Sequence, residues 1–354
     1  MLKINSLLPN KKILALDMGS YKIKALVGRE KNNRIIIDDY FTIPTPKGAY
    51  IDGRIMDKVL LHYAIDEALK KNGIKVKDVY LTINSSEIIV REVIIPKVEA
   101  EEVEKLLSFQ IEDYIPVDPE NFVVQFKLID TTYEDNIEKL SLLLIGIPKE
   151  IVENHFELLK DLALNPLVLD YQPNSMAKLL GLSNFINKDY PTKDFTFAVI
   201  DIGYENTKVS IVKNGIIYLS RVVEIGGKYI DQSIVNNYGY DDYELMQIKE
   251  GLDDLNKFYG ENSEHTAIYS LIKGIFVTLN ERIEMIFRYY LSRSSNNQIS
   301  MILLYGGNAN YAGLDNFFSN YFNIPTIIVE SFDKVNFDGK IFEYINSIGA
   351  LVRR

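Results

Sequence analysis

Asp17 and Asp201 each stand seven positions ahead of a lysine, Lys24 and Lys208, and each is followed two positions later by a glycine, Gly19 and Gly203. A single Asp-x-Gly after an apolar run is equally well a plain hairpin turn, because both residues favour turns. Two copies, ILALDMGSYKIKALV from residue 13 and FAVIDIGYENTKVSIV from residue 197, are harder to dismiss. Glycine pairs follow at Gly226-Gly227 and at Gly306-Gly307, the second before Asn308. Without a Cβ, such positions let the backbone approach a ligand closely. No G-x-x-x-x-G-K-[ST] occurs in the chain, which excludes a Walker phosphate loop.

Each Asp-x-Gly must be carried by a β-hairpin, with third strands at Ile35–Ile37 and Gly215–Leu219. One such hairpin opening each half suggests two related domains. The chain is expected to divide into a tail over 1–12, a first domain over 13–190 and a second over 195–354. The boundary falls in the polar, proline-bearing stretch 184–195. Helical spacing through Val59, Leu60, Tyr63, Ala64, Ala68 and Leu69 predicts a helix from Asp57 that ends at Asn72-Gly73. A second helix, Glu101–Tyr114, should turn Val103, Leu106, Leu107, Ile111 and Tyr114 to one face, with strands on either side. These elements make a βαβ-type insert over about 78–166. A helical subdomain is expected over about 231–298, and Leu279, Ile283, Ile286 and Phe287 should pack one face of the helix Thr278–Tyr290.

The composition is that of an ordinary globular protein of 354 residues, 47% apolar and 25% charged. A net charge of −10 without any long basic run argues against nucleic acid as a partner. The absence of cysteine excludes disulfides, zinc ribbons and thiol nucleophiles. His62, His155 and His265 lie far apart and read as ordinary surface or boundary residues. No apolar stretch approaches the ~20 residues that would cross a bilayer. A cytoplasmic location is the expectation.

The ordered set of two hairpins and two glycine pairs resembles the actin-like ATPase fold, an α/β fold of duplicated ribonuclease H-like domains with inserted subdomains. The resemblance extends over nearly the whole chain to the PilM family of type IV pilus assembly. IIPKVEAEEVEKLLSFQIEDYIPVDPENFVVQFKLID is similar to that family's insert. LVLDYQPNSMAKLL is similar to its connecting segment, AVIDIGYENTKVSIVKNGIIYLSRVVEIGGKYID to its second phosphate loop, and NYAGLDNFFSNYFNIPTIIVESF to its closing segment. The opening ALDMGSYKIKALVG is as similar to FtsA, the cell-division relative. FtsA proteins, however, have a different insert and usually end in an amphipathic membrane helix, which is not seen after Leu351. A kinase of the same fold would need a catalytic base, and no aspartate outside the phosphate loops suggests one.

The resemblance implies ATP as cofactor, with backbone N–H donors of both loops on its phosphates. Asp17 and Asp201 would hold hydrated magnesium. Ser20, Lys22 and Asn206 would lie near phosphate or metal. Gly19, Gly203, Gly226, Gly227, Gly306, Gly307, Asn308 and Glu281 complete the implied nucleotide set. Gln172 is the candidate for positioning an attacking water, at a place where the family often has glutamate. Glu284 and Met285 stand where the family has a basic pair near adenosine.

The implied partner is the cytoplasmic N-terminal tail of PilN, held in a groove beside the insert. The pilus assembly ATPase or platform proteins and self-association are further implied contacts, and the membrane is reached through partners. Ile4, Asn5, Leu7, Leu8 and Pro9 resemble the PilN tail motif itself. They read either as a terminus with a chance likeness or as a mimic of the partner. A nucleotide-free adaptor of the same fold is the remaining alternative.

Overall fold

The computed structural model describes residues 11–114, 118–134, 137–250, 254–255 and 264–353. The tail motif from Ile4 to Pro9 lies outside them. Two compact units form. The first holds the residues up to Lys178, Gly215–Ser220 and the chain from Asn346 on; the second holds Leu179–Asn214 and Arg221–Ile345. The first change of unit therefore comes after Lys178, earlier than the polar stretch 184–195. The end of the chain belongs with the first unit, outside the expected second domain.

In the first unit the strands β1 Ile13–Asp17, β2 Lys22–Lys31, β3 Arg34–Pro44, β4 Asp78–Ile83 and β8 Asn165–Tyr171 lie side by side in the order β8-β4-β1-β2-β3. Strands β1, β2 and β3 form an antiparallel meander, and β4 and β8 continue it in parallel. The β2–β3 turn places Asn32 and Asn33 at φ 52° and 61°. Positive φ at both central residues matches the strand twist, and asparagine tolerates it better than most side chains. Every residue of β1 and β4 is buried, which is expected of strands covered on both faces.

Helix α1, Lys58–Lys71, starts where the Asp57 side chain accepts from the Leu60 amide at 2.9 Å. It buries Leu61, Ile65 and Leu69 in the core of this unit. Of the residues that carry the helical spacing, Val59, Leu60 and Tyr63 are exposed, at 78%, 47% and 66%. The helix carries two apolar stripes, and periodicity alone could not choose the inward one.

The insert is smaller than 78–166. Strand β4 pairs β1, β8 pairs β4, and helix α3, Lys149–Asp161, buries Ile151, Leu158 and Leu159 in the core of the unit. What remains is the antiparallel sheet of β5 Ile89–Pro96, β6 Phe122–Glu134 and β7 Ile137–Pro148, in the order β5-β7-β6. Helix α2, Ala100–Tyr114, packs on it. Val103 and Leu107 join Val93, Ile95, Leu140, Leu142 and Leu144 in a separate core, with Leu106, Ile111 and Tyr114 at its margin.

A second sheet, of five strands, repeats the topology. Strands β9 Thr196–Ile202, β10 Thr207–Lys213, β11 Ile216–Val223, β12 Met301–Tyr305 and β13 Thr326–Ile328 lie in the order β11-β10-β9-β12-β13, and Ile216–Ser220 of β11 are the residues counted with the first unit. Strands β9 and β10 are antiparallel, and β12 and β13 continue in parallel. The turn after β10 places Asn214 and Gly215 at φ 50° and 76°, the counterpart of the β2–β3 turn. Around this sheet stand α5 Gly227–Tyr238, α6 Asp242–Glu250, the 29-residue α7 Glu264–Ser292 and α8 Leu314–Phe322. The helix expected over Thr278–Tyr290 is the second half of α7, and Ile283 and Phe287 lie on its buried face. No helix among the described residues is long and apolar enough to cross a membrane.

Candidate functional site

Asp17 ends β1 and is 1% exposed. Its cross-strand partner is Lys24, whose Nζ lies 3.6 Å from Oδ2. Oδ1 accepts from Thr82 Oγ1 at 3.0 Å and from Gln172 Nε2 at 2.6 Å. A buried carboxylate needs this ring of donors, because desolvation without partners costs several kcal/mol. Thr82 arrives from the adjacent parallel strand β4, and Gln172 from the start of α4, Gln172–Leu182, directly after β8. Gln172 is itself buried, and its Oε1 has no hydrogen-bond partner among the described residues.

The loop after Asp17 is shaped by Gly19. A Cβ there would meet the Lys22 carbonyl oxygen at 2.5 Å, so no other residue fits without displacement. Thr45 Oγ1 donates to the Gly19 carbonyl at 2.6 Å and ties the loop to the end of β3. Ser20 is half-buried on this loop. Lys22 is exposed, with its Nζ 5.5 Å from the centre of the Tyr21 ring.

The second unit has the same arrangement around Asp201, the penultimate residue of the fully buried β9, opposite Lys208. Lys208 Nζ donates to Asp201 Oδ2 at 3.2 Å. Gly203 N donates to the Asn206 carbonyl at 3.1 Å, which closes the turn. Gly226 and Gly227 press against it. The Gly227 and Lys228 amides donate to the Gly203 and Tyr204 carbonyls at 3.0 and 2.8 Å, and a Cβ on Gly226 would collide with the Tyr204 carbonyl oxygen. Asn308 crosses from the other side: its Nδ2 donates to the Gly203 carbonyl at 3.0 Å and its amide to the Ile202 carbonyl at 3.0 Å.

Gly306 has φ +98°, and a Cβ there would collide with Asp201 Oδ1. Its neighbour Gly307 is exposed and faces open space.

The sequence-derived residues thus gather into two clusters. Asp17, Gly19 and Gln172 meet in the first unit; Asp201, Gly203, Asn206, Gly226, Gly227, Gly306 and Asn308 meet in the second. Glu281 does not join either by any contact described. It is exposed on α7, where its charge acts on the Tyr321 phenol. Thr82 and Thr45 were not anticipated. Thr82 had a signal in sequence, a polar residue inside the apolar strand DVYLTI; Thr45 had none.

Close by in the first unit, Tyr50 Oη donates to His155 Nε2 at 3.1 Å, while His155 Nδ1 donates to the Ile151 carbonyl at 2.7 Å. Burial lowers the His155 pKa to about 4. Burial, helped by the charges of Asp17 and Asp52, raises that of Tyr50.

A family model described as type IV pilus assembly protein PilM matches residues 15–345. The chain belongs to the PilM family. The FtsA-like alternative is not favoured. A solved PilM–PilN type IV pilus biogenesis complex is similar at 21% identity with a TM-score of 0.77, over 97% of each chain. MreB5 of Spiroplasma citri bound to AMPPNP is similar at 14% identity and a TM-score of 0.55, over 97% of this chain and 95% of that one. The ethanolamine utilization protein EutJ from Carboxydothermus hydrogenoformans is similar at 14% identity and a TM-score of 0.54, over 98% and 91%. The α/β fold of this PilM-family chain is the actin-like ATPase fold. Among the described residues no group of three or more carboxylate, histidine or cysteine side chains could hold a metal ion directly.

Proposed function

We propose that this PilM-family chain is a cytoplasmic, nucleotide-responsive scaffold of type IV pilus assembly that holds ATP on its two Asp-x-Gly hairpins and docks the N-terminal tail of PilN. One observation carries the nucleotide half. In each unit a buried aspartate, paired with a lysine across the hairpin, stands beside a turn that excludes any Cβ. Such turns expose backbone N–H groups at close range, which suits phosphate oxygens. The AMPPNP held by MreB5 of Spiroplasma citri supports the reading, as does the PilN of the PilM–PilN complex for the partner half.

Magnesium would come with the nucleotide and keep most of its water, with Asp17 and Asp201 accepting from that water. Two carboxylates already paired with lysines fit such an outer role better than direct ligation. The metal would neutralise phosphate charge. The chain's own groups do the rest. Lys24 and Thr82 hold the Asp17 carboxylate in place, and Gln172 keeps a buried, unpartnered oxygen that would orient a water.

The test is calorimetric titration of the full chain with Mg-ATP, beside Asp17→Ala and Asp201→Ala, followed by titration of a PilN-tail peptide with and without ATP. Binding that both substitutions abolish supports the nucleotide site. No heat from the unaltered chain would overturn it and leave a static adaptor of the same fold.

A further inference from the structure

The outer face of α1 presents Val59, Leu60 and Tyr63 to solvent, and Met56, just ahead of the N-cap Asp57, is exposed beside its start. The spacing of Val59, Leu60 and Tyr63, i, i+1 and i+4, makes one apolar face opposite the buried Leu61, Ile65 and Leu69. A surface helix needs only one apolar face, and a contiguous exposed second one marks an interaction surface.

The rim decides what kind. Asp57 stands at the head of the stripe, and Asp66 and Glu67 follow one turn beyond Tyr63. Glu157 and Asp161 of the neighbouring α3 flank it. Two of the cations here are already engaged: Lys58 by Glu157 at 3.4 Å and Asp161 at 2.6 Å, and Lys70 by Asp66 at 2.6 Å and Glu67 at 4.0 Å; Lys71 stands in the last turn. The rim carries more carboxylates than ammonium groups. Arg54, just before the helix, is likewise bound by Glu87 and Glu150.

We infer that this face docks a basic amphipathic segment of a protein partner, an apolar stripe on α1 meeting an apolar stripe, and lysines or arginines meeting the acidic rim. Anionic lipid would be repelled by that rim. A second copy of this chain would bring its own acidic face and a net charge of −10. The inference goes beyond the nucleotide and PilN readings, and it stands even if no ATP binds.

The probe is a fluorescent leucine–lysine amphipathic peptide of about 18 residues, ~27 Å long as a helix, read by anisotropy against the full chain. A leucine–glutamate counterpart serves as charge control. The double variant Val59→Ser/Tyr63→Ser should weaken binding roughly ten-fold or more, ~1.4 kcal/mol. Phe109→Ser, which removes an equally exposed apolar residue on α2, should leave it unchanged. Both variants are at exposed positions, and unchanged melting curves check that they fold. Higher salt should weaken the complex, because exposed charges are screened beyond a Debye length of about 8 Å at physiological strength.

Equal binding by the double variant, or by the leucine–glutamate peptide, would overturn the inference. So would binding that appears only after residues 1–10 are deleted, which would make the chain's own N-terminal segment the occupant. A dimer in sedimentation that Val59→Ser/Tyr63→Ser dissolves would assign the face to a second copy. Flotation with phosphatidylserine vesicles that the double variant loses would assign it to lipid.

Discussion

Gln172 Nε2 donates to Asp17 Oδ1 at 2.6 Å, so the first residue of α4 is bonded to the last residue of β1. The bond fixes the amide orientation and leaves Oε1 unpartnered in a buried position. Gln172→Glu would set a second carboxylate against Asp17. Like charges at this range cannot both ionise without cost, so the variant should lose roughly 1–3 kcal/mol at pH 7. Its new carboxyl would have a raised pKa in the folded state, so the deficit relative to the unaltered chain should shrink as pH falls toward 5. Thermal melts of both proteins across that range check the prediction. A constant deficit would mean that packing, not charge, is responsible.

Gly306 and Gly307 are adjacent, but substitution should affect them very differently. Alanine at Gly306 meets both a φ of +98° and Asp201 Oδ1, whereas alanine at Gly307 meets open space. Gly306→Ala should cost about 2–4 kcal/mol and disturb the Asp201–Lys208 pair, while Gly307→Ala should stay within about 0.5 kcal/mol. Urea unfolding midpoints distinguish the two.

His155 should make stability fall in mild acid. Its folded pKa of about 4 lies below the ordinary value of 6.5, so the unfolded chain takes up a proton that the folded chain refuses. The contribution of the neutral, hydrogen-bonded ring is fully present above pH 6.5. It declines as pH falls and is lost by about pH 4, for roughly 3 kcal/mol in all. Unfolding free energies at pH 7, 6 and 5 should therefore slope more steeply for the unaltered chain than for His155→Asn.

The repeated hairpins were legible because their signals are local. Asp17 and Lys24, seven apart in sequence, are register partners, and so are Asp201 and Lys208. Thr82 and Gln172, 65 and 155 residues from Asp17, meet it through parallel strand order, which spacing cannot reveal. Gln172 was reached by family likeness instead. The core face of α1 could not be chosen from the sequence, because both of its faces are apolar. The insert was drawn too wide because β4 and β8 look alike whether they pair with the insert or with β1.

Asp170, two residues before Gln172, is buried and accepts from Lys178 Nζ at 2.6 Å and Asn174 Nδ2 at 3.0 Å, with Arg353 Nη1 3.6 Å away. Arg353 also lies over the Tyr80 ring, its guanidinium 5.3 Å from the centroid, so the end of the chain is held to the first unit at two points. Burial alone would raise the Asp170 pKa, but Lys178, Asn174 and Arg353 outweigh it and hold the group below its ordinary value. Its stabilising contribution is thus present above the ordinary carboxylate range and lost as pH falls through the depressed folded value. Asp170→Asn would strand the buried Lys178 ammonium and should cost about 3–5 kcal/mol, with partial recovery on adding Lys178→Met. Arg353→Ala removes a partly exposed, longer contact and should cost about 1 kcal/mol or less. Denaturant unfolding of the four proteins orders these effects, and equal losses for Asp170→Asn and Arg353→Ala would show that Arg353, not the buried lysine, is the chief partner of Asp170.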